Sequence, residues 1–415
     1  MKLVYFRLAA IFALIAGLVT LAWSINAAST AQTTPKNISI VNAGLEEAAS
    51  ESLPKSWQHS QWGESTADWS YPSTGRSGSR SVKVSVSNYQ SGDAKWINDP
   101  AALPAEKYYR FGVWYKTNAT PHAVVQFETA DGSTAYFGLP DPQPAETAST
   151  TWQYYSDTFY VPAGTKTVTA FMMLTSNGWL ETDDYAISPY SYTGFKRPLV
   201  TLTFDDAFEK NVTTALPLLA NHDFKTTQCY ATKYVEGNAA AEQIALKYRD
   251  AGHETCSHSV THSALSQLSA SGLYYELEHS RDYLQRLTGQ PVTTFTSPFG
   301  DYDARVTDQI AKFYTSHRTT DEGLNSKDNF NSNRIRVQNL TPTTTLAQYQ
   351  SWLDQAKATN TWLVLVYHRI GPDDGTLTPY DTPDSEFQKQ LAALKASGLP
   401  VLRYDAALAE IKAQR

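Results

Sequence analysis

At 415 residues the chain has room for two or three domains. Its composition, 41% hydrophobic and 18% charged without low-complexity tracts, is that of a globular protein. A formal net charge of −7, with no Lys/Arg cluster, excludes a nucleic-acid partner, because nothing is left over to neutralise phosphates.

The N-terminus runs basic, apolar, small: Lys2 and Arg7, then Leu8 to Trp23, then small residues to Ser29. That is the order of a secretory leader, so residues 1–29 are assigned to a signal peptide and 30–37 to a linker. The apolar run is shorter than the roughly 20 residues a spanning helix needs, which favours cleavage over a retained membrane anchor. The mature protein is therefore expected to be secreted or held at the cell surface, with no stable membrane span. Cys229 and Cys256 are the two cysteines. Export permits a disulfide between them, and two buried free thiols fit the sequence equally well.

Residues 38–190 read as an all-β sandwich. Short alternating runs such as "SVKVSVSNY", "YYRFGVWYKT" and "TVTAFMMLT" are separated by Gly, Pro, Asn and Asp, and no helical period interrupts them. Seven of the ten Trp lie here. Trp114, inside "FGVWYKT", is expected in the core, whereas Trp62, Trp69 and Trp179 stand among polar and turn residues and are the candidates for exposed stacking.

"SPYSYTGFKRP" marks a linker at 191–196, and the pattern then changes. From 197 to 415, strand-like runs ("PLVTLTF", "KTTQCYA", "HETCS", "TTFTSPF", "WLVLVYH", "PVLRY") alternate with helical ones ("ALPLLANH", "AAEQIALKYRDAG", "SGLYYELEHSRDYLQRLTG", "SEFQKQLAALKASG"). That alternation predicts an α/β domain with a parallel sheet and crossover helices.

In such folds reactive side chains gather at the C-terminal ends of the strands. Asp205 and Asp206 end the first strand, His258 and His262 follow the third, "SPFGDYD" follows the next, and His368 closes "LVLVYH". Adjacent carboxylates repel, so both stay ionised in a partly buried place only if something positive sits between them. Two His four residues apart can face one centre, and with one Asp they suit Zn²⁺, or Co²⁺ or Ni²⁺, with a position left for water. The second Asp could take a proton from that water, and His368 could protonate a leaving group. Each signal alone is weak, since "DD" usually makes a turn and a lone HxxxH is usually surface. Their convergence on one rim is the stronger observation.

With these motifs the segment from 197 to 415 resembles the polysaccharide deacetylases of the NodB-homology type, carbohydrate esterase family 4. The resemblance implies a distorted (β/α) barrel that removes acetyl groups from an acetylated polysaccharide. It makes Asp205 the general base, Asp206, His258 and His262 the metal ligands, and His368 the general acid. Phe299, Tyr302 and Val366 would border the substrate, Phe299 through an oxyanion-binding N–H. An N-acetylated glycan (chitin-like, peptidoglycan or poly-N-acetylglucosamine) is the leading substrate class. An O-acetyl esterase on xylan or a similar glycan, and a non-catalytic glycan-binding protein, are the alternatives. Two elements of the family pattern are missing. The Arg that pairs with the base is replaced by Thr296, and the Asp-Trp element that tunes the His is not evident, leaving Asp321, Arg334 or Arg336 as stand-ins. Residues 38–190, with "NAGLEE" and "GWLETDDYAIS" near their ends, resemble jelly-roll carbohydrate-binding modules. That resemblance implies a structural Ca²⁺ held by Glu46, Asp183 and Asp184.

Overall fold

The computed structural model describes residues 40–142, 149–206, 209–372 and 376–414. The expected leader and first linker lie outside the described residues. No described helix is long and apolar enough to cross a membrane.

Among the described residues the front half holds ten main strands: β1 (Trp57–Trp62), β2 (Thr66–Ser70), β3 (Val82–Ser87), β4 (Asp93–Asn98), β5 (Lys107–Thr117), β6 (Pro121–Thr129), β7 (Thr134–Gly138), β8 (Ser149–Val161), β9 (Thr165–Leu174) and β10 (Gly178–Tyr190). They form two five-stranded antiparallel sheets, ordered β8-β5-β10-β3-β2 and β1-β4-β9-β6-β7. One hydrophobic cluster draws on both, with Val84, Phe111 and Ile187 from the first sheet meeting Trp57, Trp96 and Val125 from the second.

Strand parity corrects one expectation. On β5 the inward residues are Tyr109, Phe111, Val113 and Tyr115, so Trp114 points out of the core, where the Arg76 guanidinium lies 4.0 Å from its ring centroid. Period-two alternation fixes which residues share a face, and Trp114 shares the outer one with Arg110 and Lys116. Of the stacking candidates, Trp62 is 65% exposed and Trp69 and Trp179 are half-buried.

The acids expected to hold Ca²⁺ cluster around residues 76–80 as acceptors of N–H and O–H bonds. Glu46 takes the amides of Ser79 and Arg80, Asp183 those of Arg76 and Ser77, and Asp184 the Ser77 hydroxyl and the Arg76 guanidinium. Burial, with the Asp184 charge beside it, pushes the Asp183 carboxyl up to about 7.

The second half is a closed barrel of seven parallel strands in chain order: β11 (Leu199–Asp205), β12 (Thr227–Tyr230), β13 (Glu254–Ser257), β14 (Thr294–Thr296), β15 (Ser316–Glu322), β16 (Ile335–Asn339) and β17 (Trp362–Tyr367), with β17 pairing back to β11. β11 and β17 are buried at every position, which is why they read as unbroken apolar runs. Seven helices among the described residues accompany them: α1 (Ala215–His222), α2 (Ala239–Asp250), α3 (Ala270–Thr288), α4 (Ala304–Ile310), α5 (Leu346–Thr359), α6 (Asp384–Ser397) and α7 (Tyr404–Lys412). Their ends follow local chemistry. Asn238 caps α2 and Ser269 caps α3 through side-chain oxygens, and α3 stops at Gly289 with φ 68°. The run "PVLRY" makes a single bridge, Val401 to Val200, before α7 begins.

Cys229 and Cys256 are joined by a disulfide between register partners on β12 and β13. The two halves are also fastened to each other. Arg336 on β16 forks onto both carboxylate oxygens of Asp157 on β8, at 2.8 and 2.6 Å, and both side chains are largely buried. Tyr190 donates to Asp328 nearby.

Candidate active site

The C-terminal rim of the barrel brings together Asp205, Asp206, His258, His262 and His368. Asp205 is the last residue of β11 and is 3% exposed; Asp206 follows it with φ 73°. His258 and His262 sit on the segment leaving β13, and His368 directly follows β17.

Asp206 and the two His form one compact group, with ligand atoms within 4.8 Å of one another. The Asp206 Oδ1 atom lies 3.4 Å from His258 Nε2 and 3.2 Å from His262 Nε2. His258 Nδ1 is 2.8 Å from the carbonyl of Thr296, which can only accept, so that nitrogen carries a hydrogen and the ring turns its Nε2 toward Asp206. A cation between the two ring nitrogens and the carboxylate would be held by all three. Burial opposes ionisation of Asp206, yet the two imidazoles facing it outweigh burial and hold its carboxyl well below the usual carboxylate range. Its Oδ1 atom is buried without a hydrogen-bond donor among the described residues. Donor types, convergence and the orphaned oxygen all fit a divalent metal. Glu46, Asp183 and Asp184 do not make such a group among the described residues.

Asp205 is held differently. Arg318, fully buried on β15, donates Nη2 to Asp205 Oδ2 across the barrel. The other oxygen, Oδ1, is buried and has no hydrogen-bond partner among the described residues. One oxygen is thus tied to a fixed charge while the other keeps its lone pairs. The three stand-ins named from the sequence are engaged elsewhere: Asp321 with Tyr302 at 2.6 Å and Arg334 at 2.7 Å, and Arg336 with Asp157. Arg318 was missed because "SHRTTDE" has no hydrophobic period. The register supplies the missing signal, since Arg318 is the pairing partner of Thr296, one strand over from the expected place. Thr296 serves His258 instead, through its carbonyl and, at 2.7 Å, its hydroxyl.

His368 is pinned through its backbone. Asn211 donates to its carbonyl at 2.8 Å and accepts from the amide of Ile370 at 2.9 Å. Burial lowers the His368 pKa, against the Asp205 and Asp206 charges that raise it. Its Nδ1 is buried with no hydrogen-bond partner among the described residues, so no described carboxylate takes the part of the missing Asp-Trp element.

Phe299 stands on the rim, 71% exposed, with φ 59° and its ring edge-on to His262 at 4.5 Å. Gly300 follows at φ 67°, where a Cβ would overlap the Thr320 hydroxyl, so only Gly fits. Tyr302 is half-buried beside His317. Val366 is 1% exposed and packs in the barrel cluster with Val337 and Val364, beneath the rim. Four non-Gly residues of this rim, Asp206, Ser259, His262 and Phe299, have positive φ. Such conformations cost about 1–3 kcal/mol each and persist where surrounding contacts over-determine them, as functional sites do.

A closed parallel barrel with a carboxylate–His–His cluster and a second, Arg-held carboxylate on its C-terminal rim defines a site suited to hydrolysis at a carbonyl or phosphoryl centre. Residues 193–315 match the family model described as polysaccharide deacetylase. That span contains Asp205, Asp206, His258, His262 and Phe299 and stops short of Arg318 and His368. An uncharacterized 30.6 kDa protein of Geobacillus stearothermophilus is 30% identical over 102 residues, which is 24% of this chain and 37% of that protein's own length. Among solved structures, similarity extends to the Xyl-CE4 domain of a multidomain xylanase from the hindgut metagenome of Trinervitermes trinervoides, with 20% identity, 52% of this chain and 91% of that one covered, and a TM-score of 0.39. It extends also to a CE4 family pseudoenzyme from Bacillus anthracis, with 20% identity, 53% and 68% covered, and a TM-score of 0.40. At TM-scores below 0.5 these likenesses say nothing of activity, which rests on the geometry of the rim.

Proposed function

We propose that the protein is an exported, metal-dependent deacetylase of an N-acetylated polysaccharide. One observation carries this reading: a metal-competent Asp206, His258 and His262 group stands beside a separate carboxylate, Asp205, that is held by Arg318 and keeps one oxygen free. The family match over 193–315 supports the deacetylase class, and the joined Cys229–Cys256 pair supports an oxidising compartment.

In this reading Asp206, His258 and His262 hold the ion, Zn²⁺, Co²⁺ or Ni²⁺ by donor type. Bound there, it supplies Lewis acidity and lowers the pKa of water from about 15.7 towards ~7. Asp205 accepts a proton from the attacking water through its free Oδ1, while Arg318 fixes its other oxygen. The water oxygen bonds to the acetamide carbon, and the Phe299 N–H donates to the oxyanion that forms. His368 gives a proton to the departing nitrogen as the C–N bond breaks, releasing acetate and an amino sugar.

Acetate release by the protein recovered from culture medium, on a panel of N- and O-acetylated glycans, tests this directly. Release from N-acetylated glycans that stops with chelator and returns with Zn²⁺ is the expected result. Release from ester substrates alone would replace the amide by the ester reading. No release from any glycan would leave a glycan-binding protein.

The front domain, in the same reading, holds the glycan through Trp62. This indole is exposed at the end of β1, and its N–H donates to Asp93, which in turn pairs with Lys95 on β4. A tethered, exposed indole suits stacking on a sugar face. Trp62→Ala should weaken retention on insoluble glycan roughly 2- to 10-fold, one aromatic contact being worth about 0.5–1.5 kcal/mol. Unchanged retention would remove Trp62 from the site.

A further inference from the structure

Helix α3 buries one stripe, Leu273, Glu276, Leu277, Ser280, Tyr283 and Leu284, at helical spacing. Glu276 is the acid in that stripe and is 4% exposed. A carboxylate at a core-facing position is costly unless its oxygens are satisfied, so its partners matter. They are neutral donors from one place. Oε2 accepts from the backbone amides of Val260 and Thr261, both at 2.8 Å, and Oε1 accepts from the Thr261 hydroxyl at 2.6 Å.

All three donors belong to the segment between His258 and His262. That segment is forced into the left-handed region twice, at Ser259 (φ 69°) and His262 (φ 58°). After Ser259, successive N–H groups turn to one side and form a concave anion site, which the Glu276 carboxylate fills. Other ties of the segment are single bonds, among them Thr232 N–H to Ser259 carbonyl, Lys233 N–H to Val260 carbonyl, His262 N–H to Ser259 Oγ, Ser259 N–H to Ser257 Oγ and the Thr261–Ser263 hydroxyl pair.

We propose that Glu276 is a positioning residue for the metal centre: it fixes the spacing and direction of His258 and His262 through the loop joining them and does not touch the ion. The assignment rests on the metal-centre reading of Asp206, His258 and His262. Loss of a group that orients metal ligands typically weakens metal binding about 10- to 100-fold.

Two variants of the whole chain test it. Glu276→Gln replaces an acceptor oxygen by an amide that faces donors, and Thr261→Val removes one of the three bonds, together with the Thr261–Ser263 hydroxyl pair, while leaving the backbone pair. The readouts are the Zn²⁺ dissociation constant by competition with a chromophoric chelator, the visible spectrum with Co²⁺, and the unfolding temperature of metal-free protein. Glu276→Gln should bind Zn²⁺ about 10- to 100-fold more weakly and alter the Co²⁺ bands, with Thr261→Val in between. Zn²⁺ affinities within about twofold of wild type in the folded variants, well short of that range, overturn the assignment. If Glu276→Gln does not fold, Thr261→Val decides alone, by the same criterion. A wild-type protein that binds neither Zn²⁺ nor Co²⁺ overturns the metal-centre reading along with it.

Discussion

Arg318→Met is expected to cost about 3–5 kcal/mol of stability, and to lower kcat at least about 100-fold. Arg318 is 0% and Asp205 3% exposed, so removing the guanidinium strands a carboxylate that bulk solvent does not stabilise. Breaking a buried pair from one side costs about that much, because the charge left behind keeps its desolvation penalty. The protein can relieve the penalty by protonating Asp205, and a protonated Asp205 cannot accept a proton from water. Loss of stability and loss of rate therefore share one cause. Denaturant unfolding and steady-state kinetics measure the two effects. A variant as stable and as active as wild type would mean that the pair carries neither role. Arg318→Lys separates charge from shape: it keeps a cation but lacks the planar fork, and should recover stability more than rate.

The second large effect is expected at the other end of the same pair. Asp205→Asn should lower kcat by about 10²- to 10⁴-fold, the usual contribution of a general base, while bound metal remains near one equivalent. Metal retention follows from the division of labour at the rim. Asp206, not Asp205, converges with His258 and His262. Metal content by elemental analysis, taken with the rate, separates the two carboxylates. Full activity would sink the base assignment, and loss of metal would mean that Asp205 is a ligand. The Asp205→Asn change also leaves Arg318 without its counter-charge, so the single variant should lose stability too. The double variant Asp205→Asn with Arg318→Met should regain part of that stability and stay inactive, since replacing both members of a buried pair is far less costly than removing one.

Asp205, Asp206 and His368 were legible as candidates in the sequence because each stands where a strong local pattern ends, and His258 and His262 were legible by their spacing. "LVTLTF" and "WLVLVY" are continuous apolar runs, and a polar residue closing such a run must lie at the strand's mouth. The helices α1, α2, α3 and α6 were legible for the same reason, through their period and their capping residues.

Arg318, the outward turn of Trp114, the disulfide and Glu276 were decided only by the tertiary structure. β15 buries His317 and Arg318, on opposite faces of the strand, where other strands carry Val or Leu, so the hydrophobic alternation that announces a strand is absent there. Which strand supplies a charge to Asp205 depends on register across the barrel, and register joins residues far apart in the chain. A buried ion pair is a fact about two positions at once. One-dimensional sequence specifies residue types and their local periods; closure of the barrel determines which of them meet.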